Sequence, residues 1–386
     1  MSVKRYVIVT VSLVSITAWG GTGVGHTMAQ SEINMMPAVA SHRATSRIDT
    51  RVAVYDRWTS YTTTDGLPSN KVFTVRVADG RVWVGTDKGA AYLEQGRWHH
   101  VGVADGLAHP VVLAVEGDPE TGDVWLGTLG GLNRWSAGRM ESFTQFNSGL
   151  VNDVVYGVTV EGSRVWVATA AGIARLDSRT GTWSIFNEQN APMHEPWTYG
   201  VHASDGLVYI AAWGGGVLEY DTTDGQWREF RDPDGEMEID LFPDDGVVHD
   251  VTTGVAFAEG VLWVGTYFGL SRYDGTHWSG YFDDDSGLAS NFINAVRARG
   301  RSVWICTDQG LSTFDGDTWV TYRRRDDGRG VAIVTAGGRT AETTMGPALI
   351  DNYVLGVDFL DDAIWVATAA GLSLGVQTGT MMTTPP

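Results

Sequence analysis

Cysteine is nearly missing from this chain of 386 residues, with Cys306 the only one. A single cysteine closes no internal disulfide, so packing must hold the fold. No Cys-x-x-Cys, Cys-x-x-Cys-His or His-x-x-x-His pattern occurs, which removes the common zinc and haem frameworks. Positive charge is also scarce: 27 Lys and Arg face 46 Asp and Glu, a formal net charge of −19. The one basic run, Arg323-Arg324-Arg325, is followed at once by Asp326-Asp327. Surplus acid repels phosphate, so nucleic acid is excluded as a partner. Long apolar runs are absent as well. Tyr6 to Trp19 is 14 residues long, against about 20 for a membrane span.

That short stretch reads instead as part of an export signal. Lys4-Arg5 precedes it, and Thr27-Met28-Ala29 offers small residues for cleavage before Gln30. We expect residues 1–29 to be a signal peptide and the mature protein to be periplasmic or secreted. No membrane span then remains after signal removal, although an uncleaved anchor is the alternative. Residues 30–54 read as an N-terminal extension.

What the chain has in abundance is glycine, at 49 residues, and tryptophan, at 16. Gly serves tight turns, and Trp buries large area between stacked sheets. The tryptophans are periodic. Trp83-Val-Gly-Thr86, Trp125-Leu-Gly-Thr128, Trp166-Val-Ala-Thr169, Tyr209-Ile-Ala-Ala212, Trp263-Val-Gly-Thr266, Trp304-Ile-Cys-Thr307 and Trp365-Val-Ala-Thr368 are seven copies of one motif. Successive aromatics lie 42, 41, 43, 54, 41 and 61 residues apart. A period near forty built from short, turn-bounded strands marks a β-propeller blade. The expected fold is all-β, a seven-bladed β-propeller of four-stranded antiparallel blades over residues 55–375. Cys306 falls in the small-residue column of the motif, so it reads as a buried space-filler rather than a nucleophile.

A second aromatic column marks the outer strands: Trp58/Tyr61, Trp98, Phe143/Phe146, Trp183/Phe186, Trp227/Phe230, Trp278/Tyr281 and Trp319/Tyr322. It is offset from the first. Trp58 precedes copy one, and nothing aromatic follows Trp365. We therefore expect Arg57–Tyr61 to close the ring as the outer strand of the last blade. The alternative is that Val376–Thr383, in the C-terminal tail 376–386, supplies it. Two insertions break the period. Arg231 to Val248 is acidic, and Arg323 to Leu349 carries a further expected strand, Val331–Val334. Both lie in outer-to-inner connections and should decorate one rim of the central channel.

The order Gly-Leu-x-x-Asn, Val-Trp-Val-Gly-Thr-x-x-Gly-Leu, Tyr-Asp-Gly, Trp resembles the two-component regulator propeller repeat. Leu262 to Asp274, continued by Ser286-Gly-Leu-Ala-Ser-Asn291, is the best copy, and the resemblance runs from 57 to 375. It implies a periplasmic, sensor-type propeller, a class often fused to a membrane helix and a histidine kinase. After Gly375 only a Thr/Met/Pro-rich tail follows here, so we expect any sensing to act through a separate partner protein such as a sensor kinase. Ser271-x-x-Asp274-Gly-x-x-Trp278 and Ser312-x-x-Asp315-Gly-x-x-Trp319 also resemble the Asp-box turn of sialidase-like propellers. Asp-Gly turn chemistry explains both, and no Arg triad with a Tyr and a carboxylate accompanies them.

Metal ligation has weak support. Alternating carboxylates in the acidic insertion, Asp232, Asp234 and Glu236 foremost, could hold calcium, yet the full calcium-loop pattern is missing. The rim is the better candidate. The pairs before each inner strand are Ser69-Asn70, His109-Pro110, Asn152-Asp153, Glu195-Pro196, His249-Asp250, Ser290-Asn291 and Asp351-Asn352. They can cap turns by bonding their own backbone, or they can face a ligand. Blades four and five add aromatics in the middle turn, Trp213-Gly-Gly-Gly216 and Tyr267-Phe268-Gly269, and blade four brings His194, Glu195, Trp197 and Tyr199. Aromatic walls with a few converging polar groups describe a ligand pocket. The expected ligand-binding set is His194, Glu195, Trp197, Trp213, His249, Asp250, Tyr267 and Phe268. The alternative packs these aromatics under the acidic insertion.

The expected function is an exported ligand-binding or sensor propeller that recognises a small molecule, a glycan or a protein, with no cofactor. One alternative is a propeller lyase or hydrolase using Glu195 or His249 as general base. Another is a protein-docking scaffold.

Overall fold

The repeated motif is the second strand of every blade, and alternation explains its spelling. Side chains on a strand point alternately to opposite faces. In Arg81–Thr86, Val82 and Val84 therefore pack with Trp365 and Leu372 of the last blade, while Trp83 packs with Val112, Val115 and Leu126 of the next. The other aromatics follow suit. Trp125 meets Val155, Trp166 meets Ile210, Tyr209 meets Val264, Trp263 meets Ile305, and Trp304 meets Val366. Each is a wedge between two blades, and none is more than 7% exposed.

The small residue after each wedge lets the neighbouring inner strand approach. A Cβ on Gly85 would stand 2.7 Å from the Val112 carbonyl oxygen, and one on Gly127 would stand 2.6 Å from Val155 Cγ1. Cys306 fills the same column in register with Ala295, fully buried, and burial pushes its thiol pKa up. The closing Thr caps the following turn. Thr86 Oγ1 donates to the Gly89 carbonyl at 2.7 Å and accepts from the Lys88 N–H at 3.0 Å. Thr128, Thr169, Thr266, Thr307 and Thr368 repeat both bonds.

The computed structural model describes residues 51–232 and 246–383. The expected signal peptide and the calcium candidates Asp234 and Glu236 lie outside the described residues. Seven antiparallel sheets form the propeller. Their inner strands are Val72–Ala78, Val112–Gly117, Val155–Glu161, Thr198–Ser204, Thr252–Ala258, Ile293–Arg299 and Val354–Leu360. Among the described residues, the helical segments are two short 3-10 turns, Thr63–Asp65 and Val103–Asp105, and no helix is long and apolar enough to cross a membrane.

The ring closes as expected. Arg57–Tyr61 pairs with Gly371–Val376 from Arg57↔Val376 to Tyr61↔Leu372, completing blade seven. The competing candidate pairs elsewhere: Met381–Thr383 forms a two-stranded sheet with Arg51–Ala53. Asp56 anchors this clasp, accepting from the Thr378 N–H at 2.8 Å, the Thr378 hydroxyl at 2.6 Å and the Thr380 hydroxyl.

Two expectations need correction. The insertion after Arg323 does not decorate the rim. Its strand is longer than Val331–Val334, spanning Arg329–Ala336, and it forms a hairpin with Arg339–Pro347 on the outer edge of blade six, which thus has six strands. Pairing satisfies an edge that would otherwise lie open. Ala332, Val334 and Met345 then pack with Tyr55, Trp58 and Met382 of the closure. Phe146 is the second correction. The outer strand ends at Phe143, which meets Trp125 and Trp183 at 5.9 and 5.8 Å, and Phe146 sits in the next loop 96% exposed.

Candidate ligand site at the channel mouth

The rim pairs serve first as caps. The leading side chain accepts the N–H two residues on: Ser69 from Lys71, His109 from Val111, Asn152 from Val154, His249 from Val251, Ser290 from Phe292 and Asp351 from Tyr353. The second side chain takes an N–H from the preceding connection. Asn70 accepts from Thr63, Asp153 from Gln145, Asp250 from Asp232, Asn291 from Asp283 and Asn352 from Arg324. These five pairs thereby tie the connection leaving one blade to the inner strand of the next.

This capping places several expected site residues. His249 Nδ1 accepts from Val251 at 2.9 Å, which leaves the ring proton on Nε2, and its ring lies 4.2 Å from that of Phe268. Asp250 also takes Arg231 Nη2 at 2.8 Å, and His194 faces Glu229 at 3.3 Å. His194 and Asp250 thus belong to a polar cluster at the base of the acidic insertion. Among the described residues no three His, Cys, Asp or Glu side chains gather as a metal site.

The aromatics converge differently. Every inner strand carries a bulge after its first residue, which frees Phe73, Leu113, Tyr156, Tyr199, Thr253, Asn294 and Leu355 from the ladder. Small residues follow, and Gly157, Gly200 and Gly254 let the inner backbones nearly touch. Tyr156 and Tyr199 stack at 4.6 Å, and Tyr199 stacks on Trp213 at 5.0 Å, with Trp197 alongside both tyrosines. Trp213 meets Tyr267 at 4.9 Å, and Tyr267 lies on Phe292 at 3.8 Å. Six half-buried rings from blades three to six thus form one wall. Burial raises the pKa of Tyr156 and Tyr199, and that of Tyr267 to about 12, so all three are neutral phenols.

Trp197, Trp213 and Tyr267 of the expected set join this wall, whereas Phe268 turns to His249. Glu195 lies exposed against the Gly214-Gly215 turn. Blade four has Ala212 where the others have the capping Thr, and its turn runs through Gly214 and Gly216 at φ +78° and +68°. Tyr156 and Phe292 were not anticipated. A bulge before Gly was the available signal for Tyr156.

Deeper in the channel lies a charged ring that no sequence motif marks. The residues in register with the seven wedges are Arg76, Glu116, Thr159, His202, Ala256, Arg297 and Asp358. Arg76 reaches Glu116 at 3.4 Å and Arg297 reaches Asp358 at 3.3 Å, while Arg297 and Glu116 meet across the channel at 4.0 Å. Burial, then the Arg297 guanidinium, pushes the His202 pKa down to about 4. Six of the seven stand seven positions before a wedge aromatic, so the ring was readable in the sequence.

No family model matches the chain, and no curated protein does. Similar solved structures include the extracellular domains of two putative hybrid two-component-system proteins from B. thetaiotaomicron. They are 17% and 15% identical, with TM-scores of 0.63 and 0.61, each over 83% of this chain. The chain spans 42% and 40% of their lengths. Virginiamycin B lyase from Staphylococcus aureus is similar over 83% of this chain and 98% of its own, at 14% identity and a TM-score of 0.59. At these identities the likeness is one of fold. The similar structures thus include β-propellers in extracellular domains of two-component systems.

Proposed function

We propose that this chain is an exported, sensor-type propeller that binds a small molecule, glycan or protein segment at the channel mouth, over blades three to six. On this reading it reports the bound state to a separate partner protein, such as a sensor kinase. The aromatic wall carries the reading. Six rings are only half buried, and among the described residues no hydrogen bond engages the hydroxyl of Tyr199 or Tyr267. Apolar faces with unengaged polar edges are the composition of a binding site. The fold neighbours from two-component systems agree with it.

The lyase or hydrolase reading has less support. His249 Nδ1 is occupied by the Val251 N–H, so His249 lacks a free basic nitrogen there. Calorimetric screening of small molecules, glycans and peptides tests the proposal. A binder should lose about tenfold or more in affinity in Trp213→Ala, the loss expected when a central aromatic anchor is removed. Binders indifferent to both Trp213→Ala and Tyr199→Ala would place the site elsewhere. Export is checked separately, by N-terminal sequencing of the mature protein, which should begin at Gln30.

A further inference from the structure

We infer that the ligand of this wall is an organic cation, a quaternary or protonated amine. The inference rests on the ligand-site reading above and names the class of ligand. Its geometry is a corner. One stack comprises Tyr156, Tyr199 and Trp213, with interplanar angles of 12° and 30°. The other is Tyr267 on Phe292, at 20°. The two stacks meet where Trp213 and Tyr267 cross at 88°. A cation in such a corner is attracted by electron-rich rings on two sides.

Each stack has a carboxylate on a turn beside it, Glu195 next to the Trp213 turn and Asp308 bonded through its N–H to Phe292. Glu195 lies exposed beside the turn that carries Trp213, and among the described residues no hydrogen bond or ion pair engages it. Asp308 opens the equivalent turn of blade six, where its N–H donates to the Phe292 carbonyl. Its Oδ1 is buried without a hydrogen-bond partner. Arg323 feels the Asp308 charge, but its guanidinium donates to the Ala289 carbonyl. Blade one already shows the same chemistry within the protein, with Lys71 Nζ 5.1 Å from the Phe73 ring centre. The net charge of −19 draws cations toward the molecule and repels anions.

The test titrates the full chain at low salt with choline and with 3,3-dimethylbutan-1-ol, its neutral carbon isostere. Choline should bind about tenfold tighter, a ratio within the range of a desolvated cation–ring contact. Glu195→Gln combined with Asp308→Asn should erase most of that ratio while leaving the neutral alcohol unchanged. Trp213→Leu should weaken choline in protein whose circular dichroism is unaltered. Equal affinity for the two probes overturns the inference, as does a ratio that survives both carboxylate replacements. If choline fails while a neutral saccharide docks on Trp213, the cation class falls and the ligand site stands. If neither probe nor any screened compound docks at the mouth, the ligand-site reading falls as well.

Discussion

Two sets of aromatic side chains occupy this molecule, and they obey different rules. The wedges at the blade seams recur at one register position in all seven blades, and each is buried against the next blade. The rings of the mouth recur in some blades and not in others. Where blade four has Trp197, Tyr199 and Trp213, blade two has Val111, Leu113 and Leu129. The seam set is over-determined by its neighbours. The mouth set is half buried and tied to no fold-wide need. Repetition in this chain therefore reports architecture, and departure from repetition is what the proposed ligand site rests on.

That comparison can be broken by mutation. The largest effect belongs to closure. Removing Arg57–Tyr61 strips blade seven of its outer strand and Trp58 of its place beside Tyr322. Thermal unfolding followed by circular dichroism should lose its cooperative transition. A Tm within a few degrees of the parent would show that the ring does not depend on this strand. Next comes a pair of truncations. Trp166→Ala, at a fully buried seam, should cost about 3–5 kcal/mol in chemical denaturation. Trp213→Ala, at the mouth, should cost about 1 kcal/mol, the common scale for half-buried sites, while carrying the loss of ligand binding. Equal costs at the two sites would erase the distinction between the sets.

The smallest effect concerns the clasp outside the ring. Burial alone would raise the Asp56 carboxyl, but the hydrogen bonds from Thr378 and Thr380 outweigh it and hold its pKa at about 2. A depressed folded-state pKa stabilises above the ordinary carboxylate value, and that contribution is lost as pH falls through the folded value. Asp56→Asn should therefore lower Tm at pH 7, and the difference should shrink as pH falls from about 4 toward 2. A difference that persists undiminished in acid would mean that the carboxylate charge is not what holds Thr378 and Thr380.

The sequence carried the fold well because wedge, small residue and capping Thr are local demands repeated in order. The offset between the Trp83-to-Trp365 column and the Trp58-to-Trp319 column even revealed the closure. The mouth was half legible. Trp213 and Tyr267 converge because they occupy the same structural position in neighbouring blades, and Trp197 joins them because its carbonyl accepts the Trp213 N–H. His194, His249, Asp250 and Phe268 were harder to place, since a polar rim side chain either caps its own turn or faces outward, and only the hydrogen bonds decide. Tyr156 and Tyr199 reach the mouth through bulges, which shift a strand by one residue and defeat simple alternation. Arg76, Arg297 and Asp358 of the charged ring stand seven positions before their wedges and Glu116 nine, a spacing that formed no local motif.

A co-crystal structure with the tightest binder from a mixed small-molecule, glycan and peptide screen tests the central claim most directly. The account predicts ligand density in the corner of Trp213 and Tyr267, in contact with at least one of Tyr156, Tyr199 and Phe292. Density confined to the far end of the channel or to the outer edges of the blades would contradict it.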